Sequence, residues 1–413
     1  MQASWRAIPL SRLPSVTNER PMRSTRTPIV SLALGLLTIA LVVGAGLGYA
    51  LAHATSAQPP SQERPPSSNV FIRVPYLVQP RTDSIIIAWV TPASVANGTV
   101  SYGLGGGENL TAEVRNHLQE DGVLHSAVLN GLRPGSTYSY AVRSGGEIVR
   151  GHFHSLPDTG GIRFTTTGDF GGGTAAEVDV VNLMKQQDPD LFITLGDNTY
   201  ERGTLAEMDQ NVFPQYADFL NSHGVVWVLG NHDHTTQQGA PSIENFFMPD
   251  RNYSFDAGEA HFTVLEGDGS HGYASGQPYY EFLRNDLAAH ANARWKFVFF
   301  HYPAYSCGQH GSTAYVDQYW VPLFDEYHVD AVFNGHDHDY ERIRPDAAGV
   351  HYFVAGIGGK SADAIRHNCD FQQVGAAGIY GDLIVSVDHS TVRVDCVVIG
   401  GKLFDTTSWS KAG

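Results

Sequence analysis

The chain has 413 residues with a formal net charge of −16; 42% are hydrophobic and 16% charged, the balance of a globular protein and not of a disordered or coiled-coil chain. The first 28 residues carry five Arg and one Glu, so the remainder is at −20. That surplus argues against a nucleic-acid or anionic-membrane binder, because both need basic surface. A small anionic substrate would then need a local positive centre, which bound metal ions supply.

Residues 1–28 form a basic, cytoplasmic N-terminus. Residues 29–52 follow, 24 in a row without Asp, Glu, Lys or Arg. At about 1.5 Å per residue a helix of that length crosses the ~30 Å hydrocarbon layer. Arg20, Arg23 and Arg26 precede it and no Lys or Arg follows before Arg64. The positive-inside rule therefore predicts a transmembrane signal-anchor with everything downstream exported. A cleaved signal peptide, with small residues at Ala52–Ala57 for the peptidase, is the alternative and would make the protein secreted. Residues 53–69 are rich in Pro, Ser and Gln and read as an extended linker.

Residues 70–158 read as an all-β sandwich. Ser84–Val90, Ser126–Leu129 and Thr137–Val142 have strand character, and Asn97-Gly98 and Gly103–Gly107 are turn signals. The run from Leu129 to Tyr140 resembles the late strands of fibronectin type III domains, a resemblance that makes Trp89 the core tryptophan and places Tyr138 at a tyrosine corner.

Residues 159–413 change character. Short apolar strands (Arg163–Thr167, Leu191–Leu195, Val225–Leu229, Trp295–Phe300, Ala331–Phe333) alternate with predicted helices over Thr174–Gln187, Leu205–Ser222, Pro278–His290 and Ala314–Tyr327. Alternation of this kind predicts stacked α/β layers with the functional loops at strand ends. Three cysteines occur without a CxxC pair, which argues against a structural zinc knuckle. Cys307 and Cys369 lie in loop-like sequence and are the favoured disulfide pair, with Cys396 buried in a strand; three free thiols are expected instead if the compartment is reducing.

Five motifs stand at the ends of those strands: Gly168-Asp169-Phe170-Gly171, Gly196-Asp197-Asn198-Thr199-Tyr200, Gly230-Asn231-His232-Asp233, Val298-Phe299-Phe300-His301 and Gly335-His336-Asp337-His338. Each alone is common and more often structural than functional. Five in this order, each at a strand end, leave little room for chance. Asp, Asn and His offer oxygen and imidazole donors without a thiolate, a set that suits iron, zinc or manganese. Glycine before a ligand is expected to let the backbone turn sharply. A carboxylate such as Asp197 can bridge two ions, and two ions clamp an ester phosphate and activate water.

The set resembles the metallophosphoesterase superfamily and, through Gly196-Asp197-x-x-Tyr200, its purple acid phosphatases. The similarity runs from Gly161 to about Ile399. It implies an α/β catalytic domain built as a layered β-sandwich flanked by helices, behind the all-β domain and the transmembrane helix. It also implies two metal ions per chain. Asp169, Tyr200 and His338 would hold Fe(3+), Asp197 would bridge, and Asn231, His301 and His336 would hold Fe(2+), Zn(2+) or Mn(2+). His232 would contact the phosphate, and His310 would protonate the leaving oxygen. Plant-type members often carry a second histidine where this chain has Gly311. The implied reaction is hydrolysis of small phosphate monoesters by attack of metal-bound hydroxide on phosphorus. A phosphodiesterase or nucleotide phosphohydrolase on the same scaffold is the alternative. A non-catalytic envelope binding protein is the reading from another class, disfavoured because all seven implied ligands are present. Asp233, Asp339 and Glu341 are expected to orient metal-bound imidazoles from behind, and Arg342 to pair with Glu341 or Asp339. His261, His271, His351, His367 and His389 fall in no motif.

Overall fold

The computed structural model describes residues 68, 70–267, 272–344, 349–366 and 369–412. The expected anchor and all of the linker but Ser68, together with His271 and His367, lie outside them. Among the described residues no helix is long and apolar enough to cross a membrane.

Eight strands come first: β1 (Arg73–Val78), β2 (Ser84–Thr91), β3 (Gly98–Leu104), β4 (Leu110–Ala112), β5 (Val114–Leu118), β6 (Val123–Asn130), β7 (Thr137–Ser144) and β8 (Glu147–His154). Strands β4-β3-β7-β8 form one antiparallel sheet, which faces β1-β2-β6-β5 across an apolar layer holding Trp89, Tyr138, Tyr140 and Phe153. Trp89 is fully buried, and its indole N–H reaches Ser144 Oγ at 3.0 Å. The Tyr138 hydroxyl accepts from the Arg133 amide at 2.8 Å, a bond back to the chain just upstream.

The second half adds β9 (Ile162–Thr167), β10 (Leu191–Thr194), β11 (Val225–Val226), β12 (Tyr253–Ala257), β13 (Ala260–Val264), β14 (Trp295–Phe299), β15 (Ala331–Asn334), β16 (Tyr340–Ile343), β17 (His351–Ala355), β18 (Gln372–Ala376), β19 (Gly381–Val387), β20 (Thr391–Val398) and β21 (Lys402–Ser410). One sheet has seven strands, in the order β12-β13-β14-β15-β17-β16-β18. The other has ten, β21-β20-β19-β9-β10-β11-β1-β2-β6-β5, and so crosses the expected domain boundary. The join is a parallel pairing of β1 with β11, Val78 opposite Val225. Buried Arg73 fastens it further, through Asp121, Asp209 and Asn245. The Tyr140 hydroxyl adds a bond to the Asn221 carbonyl at 2.7 Å.

Between the two large sheets Phe164, Phe262, Phe297, Phe299 and Phe333 pack with ring centroids 5.1–6.2 Å apart. Alternating aromatic positions on β9, β13, β14 and β15 supply this layer, which fixes the strand ends that carry the motifs.

Two predicted helices break where proline enters. Leu205–Ser222 becomes a short turn (Leu205–Glu207), a π-helical turn (Met208–Val212) and a helix over Phe213–Leu220 with Pro214 in its first turn. Ala314–Tyr327 splits at Trp320 into Ala314–Tyr319 and Val321–Glu326, Pro322 opening the second. Proline lacks the amide that a continuous helix would need there. The other two hold almost to the residue, as Ala175–Gln187 and Pro278–Ala289. Cys307 is bonded to Cys369, and Cys396 is a buried free thiol.

Candidate metal centre

The loops after β9, β10, β14 and β15, with the turn at Gly230, meet at one end of the facing sheets. Asp169, Asp197, Tyr200 and His301 are buried there, and Asn231, His336 and His338 are half-buried. The Tyr200 hydroxyl stands 3.0 Å from Asp169 Oδ1 and 3.2 Å from His338 Nε2, and those two are 3.3 Å apart. Beside this triangle, His301 Nε2 is 3.1 Å from Asn231 Oδ1 and 3.2 Å from Asp197 Oδ2. Ligand atoms of Asp197, His301 and His336 all lie within 4.8 Å of one another. Asp197 Oδ2 is also 3.3 Å from the Tyr200 hydroxyl, so one oxygen borders both groups.

Donor atoms about 3.0–3.4 Å apart are at the edge length of a coordination shell with bonds near 2.0–2.1 Å. The fit to a pair of cations is also chemical. Two buried carboxylates, a buried phenol and three imidazoles converge, a set costly to bury without multivalent positive charge. Burial, reinforced by Asp169 and Asp197, pushes the Tyr200 phenol well above its ordinary pKa, so only a strong cation would ionise it. Burial would raise Asp197 and lower His301, but their mutual attraction wins at both: Asp197 is held down and His301 up. Burial, then the charge of His301 and His310, drives His336 far down, which leaves it a neutral imidazole.

The ligating nitrogens are fixed from behind. His301 Nδ1 donates to the Leu195 carbonyl at 2.8 Å, and His338 Nδ1 lies 2.6 Å from Ser361 Oγ, which leaves Nε2 of each ring to the centre. The partners are a carbonyl and a hydroxyl, not the acidic neighbours expected. Asp233 instead accepts from the Gly230 amide at 2.9 Å and the Asn198 side chain at 2.9 Å, holding the turns that carry Asn231 and Asp197. Glu341 accepts from Ser306 and the amides of Cys307 and Gly308. Buried Asp339, its carboxyl pushed up to about 9 by burial and by Glu341, touches no imidazole. Arg342 pairs with Asp405, at 2.7 Å.

Gly196, at φ 85°, makes the sharp turn expected before Asp197, but elsewhere the glycines act differently. Asp169, Asp197 and His336 themselves take left-handed φ values of 60°, 50° and 76°. Asp and His tolerate that region better than most side chains, and strain of this kind gathers at functional sites. The preceding Gly230 and Gly335 are needed for space. A Cβ on Gly230 would lie 2.2 Å from Asp197 Oδ1, and one on Gly335 2.5 Å from Asp169 Oδ2.

His232 is half-buried at the rim. Its Nδ1 donates to the Glu201 carbonyl at 2.7 Å, and its Nε2 is 3.9 Å from Asp197 Oδ2. His310 is exposed, its ring centroid 4.4 Å from that of His336. The His310 amide is pinned at 2.6 Å by Asp337, a residue the sequence reading passed over although it sits inside the His-x-His motif. Lys360 was missed too: its ammonium lies 4.5 Å from the Tyr200 ring centroid and pairs with Glu201. Gly358-Gly359 before it, a loop after a strand, was the available signal.

This architecture and donor set define a calcineurin-like phosphoesterase, and the model of that family matches residues 162–340. Residues 74–156 match the N-terminal domain of purple acid phosphatases, and the two models together cover more than half of the chain. The chain is 26% identical to purple acid phosphatase 17 of Arabidopsis thaliana over 257 residues, 54% of this chain and 75% of the relative. It is 28% identical to tartrate-resistant acid phosphatase type 5 of Mus musculus, over 52% of this chain and 77% of the relative. The fold is that of a purple acid phosphatase from yellow lupin (Lupinus luteus) seeds, with a TM-score of 0.71, 20% identity and coverage of 81% of this chain and 74% of that one. The chain belongs to the purple acid phosphatases.

Proposed function

We propose that this chain hydrolyses small phosphate monoesters at a dinuclear metal centre. The observation that carries the reading is Asp197 Oδ2, 3.3 Å from the Tyr200 hydroxyl and 3.2 Å from His301 Nε2, with a donor group on either side. Asp169, Tyr200 and His338 would hold one ion, Fe(3+). Asn231, His301 and His336 would hold the other, Fe(2+), Zn(2+) or Mn(2+), with Asp197 shared. Bound there, the ions supply Lewis acidity for the phosphate oxygens and an activated water.

The protein's own side chains do the rest. His336 is held as a neutral imidazole ready for ligation, and the Nδ1 bonds of His301 to the Leu195 carbonyl and of His338 to Ser361 turn their Nε2 atoms to the centre, where a bound cation would replace the proton that Asp197 and Asp169 otherwise favour. His232, oriented by its bond to the Glu201 carbonyl, presents Nε2 towards a bound phosphate. His310, at the solvent rim beside His336, is placed to give a proton to the departing ester oxygen, which leaves badly as an alkoxide. Attack opposite that oxygen, without a phosphoenzyme, inverts configuration at phosphorus.

The test is hydrolysis of an aryl phosphate monoester and the matching diester by the full chain with its metals, from acidic to neutral pH. Monoester preference, abolished in Asp197→Ala and Asn231→Ala, supports the assignment. Diester preference moves the chain to the phosphodiesterase reading, and no turnover of either with both metals bound refutes hydrolysis.

The reading extends to location. The N-terminal run 29–52 would anchor the protein with its catalytic part outside the cytoplasm, or be cleaved and release it. The Cys307–Cys369 disulfide supports an oxidising compartment.

A further inference from the structure

A second group of metal-ligating side chains lies at the other end of the seven-stranded sheet. His261, the second residue of β13, pairs with Lys296 of β14, five residues before His301, which puts it roughly 17 Å from that metal ligand. We propose that Asp256, His261 and His290 bind a single divalent transition-metal ion, with Zn(2+) as the probe, at a site separate from the dinuclear centre.

The three residues come from two elements that the fold brings together. Asp256 and His261 are direct partners across the β12–β13 hairpin, and His290 caps the helix over Pro278–Ala289. Each offers a ligand atom within 4.8 Å of the other two. Two imidazoles and one carboxylate are the donor set of an open zinc site.

The ring of His261, 1% exposed, is clamped between two carboxylates. Its Nε2 lies 3.0 Å from Asp286 Oδ2, and its Nδ1 2.7 Å from Asp256 Oδ1. Asp286 is immobilised by Ser254 Oγ at 2.6 Å and Thr263 Oγ1 at 2.8 Å, both donating. It is therefore the fixed acceptor for the Nε2 proton, and this carboxylate–imidazole pairing is how proteins orient a metal-bound histidine. The Nδ1 lone pair then faces the Asp256 oxygen. Two lone pairs cannot meet at 2.7 Å without a cation between them, whether a proton or a metal.

His290 completes the set. Its Nδ1 donates to the Asp286 carbonyl at 2.8 Å, which leaves Nε2 unprotonated. The two rings stack with centroids 3.7 Å apart, so both cannot direct in-plane lone pairs at one ion as they stand. His290 is one-third exposed at the helix end, so metal binding there would exchange its Asp286 carbonyl bond for the ion as the ring turns, and the Asp256 carboxylate is mostly exposed and can move outward by the fraction of an ångström an ion requires. A groove of about 480 Å³, lined by Asp256, Glu259, His290 and Arg294 among others, gives the ion access.

The test counts metal. The full chain, Asp256→Asn and His290→Ala are equilibrated with the same Zn(2+)–nitrilotriacetate buffer, and bound zinc is measured by elemental analysis. Both substitutions are at accessible side chains, so folding survives them; His261→Ala is avoided because that ring is buried. Each variant should hold one equivalent less than the parent while turnover of an aryl phosphate stays within about two-fold. Equal zinc in all three overturns the proposal and leaves a proton between His261 and Asp256. Metal at the dinuclear centre cancels in the difference, so that outcome leaves the phosphatase reading untouched. Co(2+) substitution gives a second readout: the difference spectrum between parent and His290→Ala should carry the visible band of a four-coordinate ion, and a flat difference counts against the site.

Discussion

Gly230→Ala is the smallest change that tests the dinuclear centre from outside its ligands. The new Cβ would fall 2.2 Å from both the Asp197 amide nitrogen and Asp197 Oδ1, and 2.9 Å from Asp197 Cγ. Ordinary contact is more than an ångström longer, and the obstacle is backbone plus a fixed carboxylate, not the free end of a flexible chain. Asp197 or the Asn231 turn must therefore shift by about an ångström. Overpacking on this scale costs roughly 1–3 kcal/mol of stability, which a domain with so large a core survives. The same shift at a reacting centre costs about 10²-fold in rate. Gly230→Ala should thus stay folded, bind less of at least one metal, and lose about 10²-fold or more in kcat/KM on an aryl phosphate. Gly267→Ala is the control: it lies near the same sheet end, but its Cβ would make only ordinary contacts, 3.5 Å or longer, with Tyr302, Phe300 and Tyr273. If Gly230→Ala keeps its metals and its kcat/KM within a few-fold of the parent, Asp197 is not the shared ligand and the centre is misassigned.

Tyr200→Phe should retain iron but lose a visible absorption band from tyrosinate-to-iron charge transfer; a wild-type protein with iron and no such band contradicts Tyr200 as a ligand. His310→Ala should lower kcat/KM on an alkyl phosphate by about 10²-fold and on a nitrophenyl phosphate far less, because only the poor leaving group needs the proton; equal losses on both substrates would rule out the acid role. Asp382, on β19 and away from the centre, is fully buried and pushed up to about 7 by that burial. The unfolded chain ionises it near 4, so between about pH 4 and 7 the unfolded state alone gives up this proton. Stability then falls as pH rises through that window, by up to about 4 kcal/mol, and levels off above it. Asp382→Asn can keep the bonds with Gln187 and Thr165 without a charge, so its stability relative to the parent should rise with pH from 4 to 7 in urea denaturation; a pH-independent difference refutes the burial argument.

The strands bearing the motifs were legible because β9, β10, β14 and β15 are short apolar runs that end abruptly at Gly-Asp, Gly-His or His. A buried strand followed by a sharp polar turn is a local pattern. Local too is the pairing of helix starts with caps, as at Thr174, which accepts from the Glu177 amide at 3.1 Å. What periodicity does not encode is which strand lies beside which. Val78 opposite Val225 joins residues far apart in sequence, and nothing in either strand's composition names the other. The partners that orient the imidazoles were hidden for a related reason. A backbone carbonyl such as that of Leu195 has no side-chain signature, and Ser361 is one serine among many. Asp339 and Glu341 drew attention by their charge, but together with Asp337 they face the Ser306–Gly308 loop, not the ions.

Those carboxylates also shape the centre itself. Asp337 holds the His310 amide, Glu341 holds the Cys307 and Gly308 amides, and the Cys307–Cys369 disulfide closes the same loop. The loop that carries the proposed acid is thus tied by Asp337 and Glu341 to the segment that carries His336 and His338, and by the disulfide to Cys369, although His310 itself is exposed. A general acid gains from this arrangement: its backbone is fixed relative to the phosphate site, while its imidazole stays in contact with water and can be reprotonated after each turnover. Apart from the family resemblance, the sequence marks His310 only as a histidine before a glycine in a polar loop. The buried carboxylates beneath it are what make it a fixed position.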